Sequence, residues 1–374
     1  MTAAKQQLPH LTNLDNLTLA RNEGFSAFAE APAPTRPELL TRAGIKALGD
    51  AALIDYNAQR RTWHANLGPL RTPQLAELHE QLWDIVDSNH QTGDKPKSAV
   101  AIDGYPGLGK TTAALAFARD FHRREITERG IATTGGHRRI PVCRVGLTGN
   151  TGMVDFNRAM LDYFGHPGTH RGTAAQLAHR ALDCVLACQT RLLMIDDLHF
   201  LRWHNTQGIE ISNHFKYIAN EFPVTIIYIG VGLSKHGLFS EGSTYQDAII
   251  AQTGRRTTKL GMEAFSVKTK IERKRWRELL LTLERRVVLA DGSPGMLADE
   301  LSDYLYARST GHIGSLITLI NRGCQRAVRT GAERLTQDLL DRVKNDEASE
   351  KARQELQSAL QAGKLTTRIR ERAS

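Results

Sequence analysis

The sequence predicts an α/β protein: a parallel sheet sandwiched by helices, with further helical segments before and after it. Three observations predict this. Short apolar runs alternate with longer helix-patterned stretches between residues 98 and 262, no β-type run follows residue 262, and apolar residues ahead of residue 98 recur at helical spacing. A chain of 374 residues has room for two or three compact units. Its 41% hydrophobic and 24% charged content excludes general disorder and a fibrous repeat.

In chain order, residues 1–36 are mixed, end in the Ala/Pro-rich EAPAPTRP, and predict a loosely ordered arm. Residues 37–97 predict a helical N-terminal extension. Within it Leu75, Leu78, Leu82, Ile85 and Val86 make one apolar stripe, which should pack on the following domain. The α/β domain, residues 98–262, alternates SAVAID, TTAALAFARDFHRR, PVCRVGLT, MVDFNRAMLDYF, RLLMID and FPVTIIYIGVG, the texture of strands covered on both faces. Residues 263–344 form an all-helical appendage, broken at ADGSPG. The charged tail, 345–374, has helical propensity and predicts a solvated helix with a frayed end.

The chain carries 49 Lys+Arg against 40 Asp+Glu, a net charge of +9, compatible with nucleic acid, anionic lipid or polyphosphate. Residues 253–286 concentrate eleven basic groups against four glutamates. Cys143, Cys184, Cys188 and Cys324 form no C-x-x-C pair and predict buried thiols in a reducing compartment. The first residues lack a signal pattern, and no stretch of uninterrupted apolar residues is long enough to span a bilayer, so a cytoplasmic protein with no membrane partner is expected.

Directly after the strand SAVAI comes GYPGLGKT, Gly104–Thr111, followed at once by a helix-forming run. Strand, glycine loop and helix in that order make a phosphate-binding P-loop. Gly104, Gly107 and Gly109 let the backbone wrap a phosphate chain, with Tyr105, Pro106 and Leu108 between them and Thr112 just beyond. Successive N–H groups and the positive end of the new helix then face the same anion. Lys110 would reach the terminal phosphates, and the Thr111 hydroxyl would be a ligand of Mg²⁺. These features name a nucleoside triphosphate and Mg²⁺ as the expected cofactors.

A second acidic strand end is needed to steady the metal. RLLMIDDLHFL supplies it, with Asp196 as the metal-side carboxylate and Asp197 as the group that orients and deprotonates an attacking water. His199, two residues on, is read as a packing residue and left out of the catalytic set.

Taken together these stretches resemble the AAA+ ATPases, and within them the transposition-associated group represented by TniB and TnsC. The resemblance rests on Tyr56, Arg60 and Trp63, the Thr72-Pro73 helix start, the P-loop, IDDLHFL, IGVGLSKHGLF, QTGRR at Gln252–Arg256 and STGHIGSLITLI at Ser309–Ile320. It implies ATP as the nucleotide, with Mg²⁺, bound and hydrolysed by an α/β domain that is followed by a helical lid, assembling head to tail as a ring or filament. Arg255 and Arg256 match a finger donated into the neighbour's site. Ser234 is the first candidate sensor of the γ-phosphate.

Two departures from the pattern stand out. Gly314 occupies the place of a lid arginine, leaving His312 as that turn's candidate for nucleotide contact, and Asp197 stands where Glu is commoner, which implies slow hydrolysis. The group's function implies a regulator that binds duplex DNA in the ATP state and engages a transposase. The basic 253–286 segment and the Arg138-Arg139 pair are candidate phosphate contacts. The alternative is a signalling or defence ATPase that switches a protein interaction without DNA.

Overall fold

The computed structural model describes residues 16–91, 97–149, 151–198, 206–233 and 256–369. Its centre is a five-stranded, all-parallel sheet, built from β1 (Ala99–Asp103), β2 (Val142–Gly146), β3 (Leu192–Asp196), β4 (Thr225–Gly230) and β5 (Thr257–Gly261) in the order β2-β3-β4-β1-β5. Strands β1, β3 and β4 are buried along their whole length, which is why they are continuous apolar runs. The edge strand β5, TTKLG, buries only Leu260. Its two threonines suit a strand, but with one buried residue in five it lacks the apolar run that marks the others.

Helices α1 (Asn22–Glu30), α2 (Arg42–Lys46), α3 (Asp50–Ala65) and α4 (Pro73–Ser88) precede the sheet. The α4 start is fixed by Thr72, whose hydroxyl accepts from the Leu75 N–H at 3.1 Å, and by Pro73 in the first turn. Its stripe Leu78, Leu82 and Val86 is buried in the sheet's core, as its spacing predicts. The expected loose arm is corrected in part. Residues 22–30 form α1, because Phe25 and Ala29 bury against the sheet's flanking helix α5 (Lys110–Arg129), while Arg123 donates to the Ala29 and Ala31 carbonyls, each at 2.6 Å.

Between the strands run α5, α6 (Met153–Phe164), α7 (Ala174–Ala187) and α8 (Thr206–Glu221). Beyond the sheet a second core assembles from α9 (Lys270–Glu284), a π-helical turn (Met296–Glu300), α10 (Ser302–Ser309), α11 (Ile313–Thr330), α12 (Gln337–Asp341) and α13 (Glu347–Gln361). A capping box of Thr269 and Glu272 starts α9, and Trp276, Leu279, Leu280 and Leu283 line its buried face.

Among the described residues, the N-terminal extension has no core of its own. While α4 joins the sheet, α3 clamps the helical unit. Arg60 pairs with Glu333 at 2.7 Å in the interior, Trp63 Nε1 donates to the Arg286 carbonyl at 2.6 Å, and His64 Nε2 accepts from the Val288 N–H at 3.0 Å. The tail helix buries only Ser349 and is otherwise exposed or half-exposed, but it is tied to the lid. Arg308, buried in α10, donates to Glu350 at 2.6 Å and to the Val343 carbonyl at 2.7 Å, holding α13 against the lid. Among the described residues, no helix is long and apolar enough to cross a membrane.

Candidate nucleotide-binding site

The loop from Gly104 to Gly109 leaves the carboxyl end of β1 and turns directly into α5. Gly107 and Gly109 sit at φ 78° and 83°, the left-handed region where a side chain is strained, so the turn requires glycine there. The first amides of α5 consequently point into a cavity of about 400 Å³. Its lining includes Pro106, Gly107, Gly109, Lys110, Thr111, Thr112, Asp196, Asp197, Gly230 and Gly314. The remaining loop residues face elsewhere: Leu108 is buried, Tyr105 is 68% exposed, and Gly104 lies against the Met262 carbonyl.

Lys110 is buried, and its ammonium donates to the Tyr105 carbonyl at 2.8 Å. Burial lowers its pKa, opposed by the carboxylates of Asp103, Asp196 and Asp197. A phosphate in the cavity would be a further anion favouring the charged form.

The acidic strand end meets the P-loop. The Thr111 hydroxyl donates to Asp196 Oδ1 at 3.1 Å, the Asp197 N–H donates to the same oxygen at 3.0 Å, and Arg144 pairs with Asp196 Oδ2 at 2.9 Å. Asp196 is 2% exposed and therefore depends on these donors. Asp197 turns left-handed at φ 61°, a conformation Asp tolerates better than most residues, and lines the cavity one position past the strand. A hydroxyl beside a carboxylate is the hard-oxygen donor set that suits Mg²⁺.

From the far side the lid closes on the loop. The Gly314 N–H donates to the Gly107 carbonyl at 2.9 Å. His312, the residue preceding α11, has Nδ1 within 2.8 Å of Thr310 Oγ1 and lies beside Gly107.

Arg144 and the Gly314 contact were not anticipated from sequence. The only signal for Arg144 is a lone cation in the apolar run PVCRVG. Arg256 is not brought to this cavity. It precedes β5 at the amino end of the sheet, its carbonyl accepting from the Ala99 N–H at 2.8 Å and its guanidinium donating to Asn220 at 2.8 Å. Five strand residues at about 3.3 Å each put roughly 16 Å between it and the end of β1. Arg139 is corrected as a candidate phosphate contact, because it is buried and donates to the carbonyls of Gly130, Arg129 and Ala132. Arg255, Ser234 and His199 lie outside the described residues.

Comparison with known proteins gives the fold and a likeness to one family. Among solved structures, the ORC1 protein of Aeropyrum pernix in complex with DNA matches with a TM-score of 0.54 at 15% identity, over 80% of this chain and 70% of that one. The Aeropyrum pernix ORC2 protein in ADPNP-ADP complexes matches at 0.52 and 13% identity, over 78% and 73%. What is shared at these identities is the AAA+ P-loop fold. No curated protein matches significantly in sequence. The family model of the bacterial TniB protein matches residues 68–236, the stretch that holds α4, the P-loop, Arg144 and the acidic pair. Over that stretch, which is under half of its length, this chain is similar to the TniB family.

Proposed function

We propose that the chain binds and hydrolyses ATP, assembles head to tail on duplex DNA in the ATP state, and there recruits or activates a transposase. The observation that carries this is the meeting of Thr111 and Asp196 at 3.1 Å beside the glycine loop, within the stretch similar to the TniB family.

In this reading, residues 98–262 are the ATPase domain and 263–344 the lid. The backbone from Gly104 to Thr112 cradles the phosphates, and Lys110 lies against the terminal ones. Thr111 and Asp196 would hold Mg²⁺, which supplies neutralising charge to the phosphate oxygens. Asp197 orients the attacking water and takes its proton. Its short side chain favours slow turnover, which suits a timer that dismantles the assembly. Arg255 and Arg256 stabilise phosphoryl charge in the neighbour's site, since Arg256 is remote from the cavity of its own subunit. The exposed Lys268, Lys270, Lys274 and Arg275 on and before α9 support contact with DNA phosphates.

The test is association of the purified chain with duplex DNA, followed by filter binding and electron microscopy with ATP, ADP or no nucleotide. ATP-dependent oligomers on DNA are expected, lost in Lys110→Ala. Normal ATP turnover without any DNA association would instead favour the protein-switching ATPase.

A further inference from the structure

We propose that the outer face of the lid helix α11 is a docking site for the phosphodiester backbone of duplex DNA, separate from the basic residues of α9. The proposal rests on the reading of the protein as DNA-bound and adds a surface which that reading does not use.

Arg322, Arg326 and Arg329 fall at i, i+4 and i+7 of α11, so they share one face while Leu316, Leu319, Ile320 and Cys324 bury the other. Arg342 and Lys344, just after α12, close the opposite wall of a cavity of about 310 Å³. Several other surface arginines of the helical unit and tail are paired: Arg334 with Glu300 at 2.7 Å, Arg353 with Asp341 at 2.6 Å and Arg277 with Asp299 at 3.0 Å. Among the described residues, the five cations of this cavity have no acidic partner, and no acid lines it. Such a cluster repels itself unless an anion joins it.

The cluster is also partly preorganised. Arg322 donates to the Lys344 carbonyl at 2.8 Å and Arg326 to the Arg342 carbonyl at 3.0 Å, so two guanidinium forks are fixed before any ligand arrives. An acidic protein segment would want an apolar anchor pocket. Here the one apolar lining residue, Val343, is buried. An open, all-cationic wall fits a regularly charged phosphate backbone and reads no sequence. The same helix begins at the P-loop with Gly314, so the angle of the lid on the nucleotide site sets where this face points.

The side chains of Arg329, Arg342 and Lys344 make no hydrogen bond among the described residues, so the triple variant Arg329→Ala, Arg342→Ala, Lys344→Ala removes charge without cutting a structural tie. Binding of a labelled duplex by the full chain is followed by fluorescence anisotropy across a salt series, with a slowly hydrolysed ATP analogue. The log–log salt slope is expected to fall by about 2 to 3 in the triple variant, with nucleotide affinity and melting temperature unchanged. The charge-keeping variant Arg329→Lys, Arg342→Lys should hold the parental slope.

A parental slope in the triple variant, alongside a reduced one in Lys268→Ala, Lys274→Ala, Arg275→Ala, overturns the patch and leaves the DNA reading standing. A parent that ignores DNA in every nucleotide state sinks both. Unchanged DNA binding with lost capture by immobilised poly-glutamate assigns the face to an acidic protein and overturns the proposal.

Discussion

Gly314, the second residue of the lid helix, donates its backbone N–H to the carbonyl of Gly107 in the P-loop at 2.9 Å. A β-carbon at position 314 would lie 2.8 Å from that same oxygen, so glycine is demanded here by close approach. Where the AAA+ pattern places a lid arginine, this chain places main chain against main chain.

The first prediction follows from that contact. Gly314→Ala should push the lid away from the loop at a cost of about 1 to 3 kcal/mol, the usual range for overpacking. Nucleotide affinity should fall with it. Gly314→Arg should be worse still, although it restores the residue that the family pattern has. Nucleotide titration and urea unfolding of both variants provide the check. An arginine variant that binds nucleotide better than the parent would show that the lid contact is dispensable.

Arg144 and Asp196 give the second prediction. Among the described residues, buried Asp196 receives three donors, of which Arg144 is the only charged one. Arg144→Ala leaves the carboxylate with the Thr111 hydroxyl and the Asp197 amide. A loss of about 2 to 3 kcal/mol is expected, since hydrogen bonds to charged groups are worth up to about 3 kcal/mol. Arg144→Ala combined with Asp196→Asn should cost less than the sum of the two single changes. Denaturation of the four proteins in a double-mutant cycle measures the coupling, and additive losses would mean that the pair does not interact energetically.

These two sites differ in how legible they were. The P-loop and the acidic pair were readable because glycine turns and strand-end carboxylates announce themselves within a few residues. The Arg144–Asp196 pair spans 52 positions, and the lone cation of an edge strand looks merely solvated until its partner on the next strand is placed beside it. Likewise Tyr56, Arg60 and Trp63 were recognisable as a pattern, but their work was not. Arg60 reaches Glu333 and Trp63 reaches Arg286, across 273 and 223 positions. Strands β1, β3 and β4 are marked by full burial, whereas β5 shows only one buried residue and owes its place to pairing with β1. Among the described residues, most of the tail's charges do face solvent, and Glu350 could not be told apart from them because its buried partner, Arg308, lies on another helix.

The third prediction concerns pH. His64 is buried between α3 and the lid, and desolvation, then Arg60 and Arg36, lower its pKa to about 4. Its Nε2 accepts from the Val288 N–H, which requires the neutral ring. The folded pKa is depressed, so between the unfolded value of 6.5 and about 4 the unfolded chain binds a proton that the folded chain refuses. Stability is therefore fully present above 6.5 and is lost as pH falls toward 4, by on the order of 3 kcal/mol from this group. His214, lowered to about 4 by burial, adds a loss of the same sign in the sheet's core. Urea midpoints measured from pH 7 to 4 should fall, and His64→Gln should flatten part of the fall. An equal slope in the variant would remove His64 from the account.

The last prediction uses the distance between Arg256 and the cavity. Because Arg256 lies at the amino end of the sheet and the P-loop at the carboxyl end, it cannot serve its own subunit's nucleotide without refolding the edge strand. If it acts as a finger, it acts in a neighbour. Lys110→Ala lacks the phosphate contact but keeps the finger, and Arg256→Ala keeps the contact but lacks the finger. Each alone should turn over ATP slowly or not at all. Mixed in equal amounts, random head-to-tail assembly joins an intact P-loop to an intact Arg256 at about a quarter of the interfaces, so roughly a quarter of the parental rate should return. A phosphate-release assay on the DNA-assembled mixture reads this directly. A mixture no faster than the average of its two parts would exclude Arg256 from the neighbouring site and leave Arg255 to be tested by the same pairing.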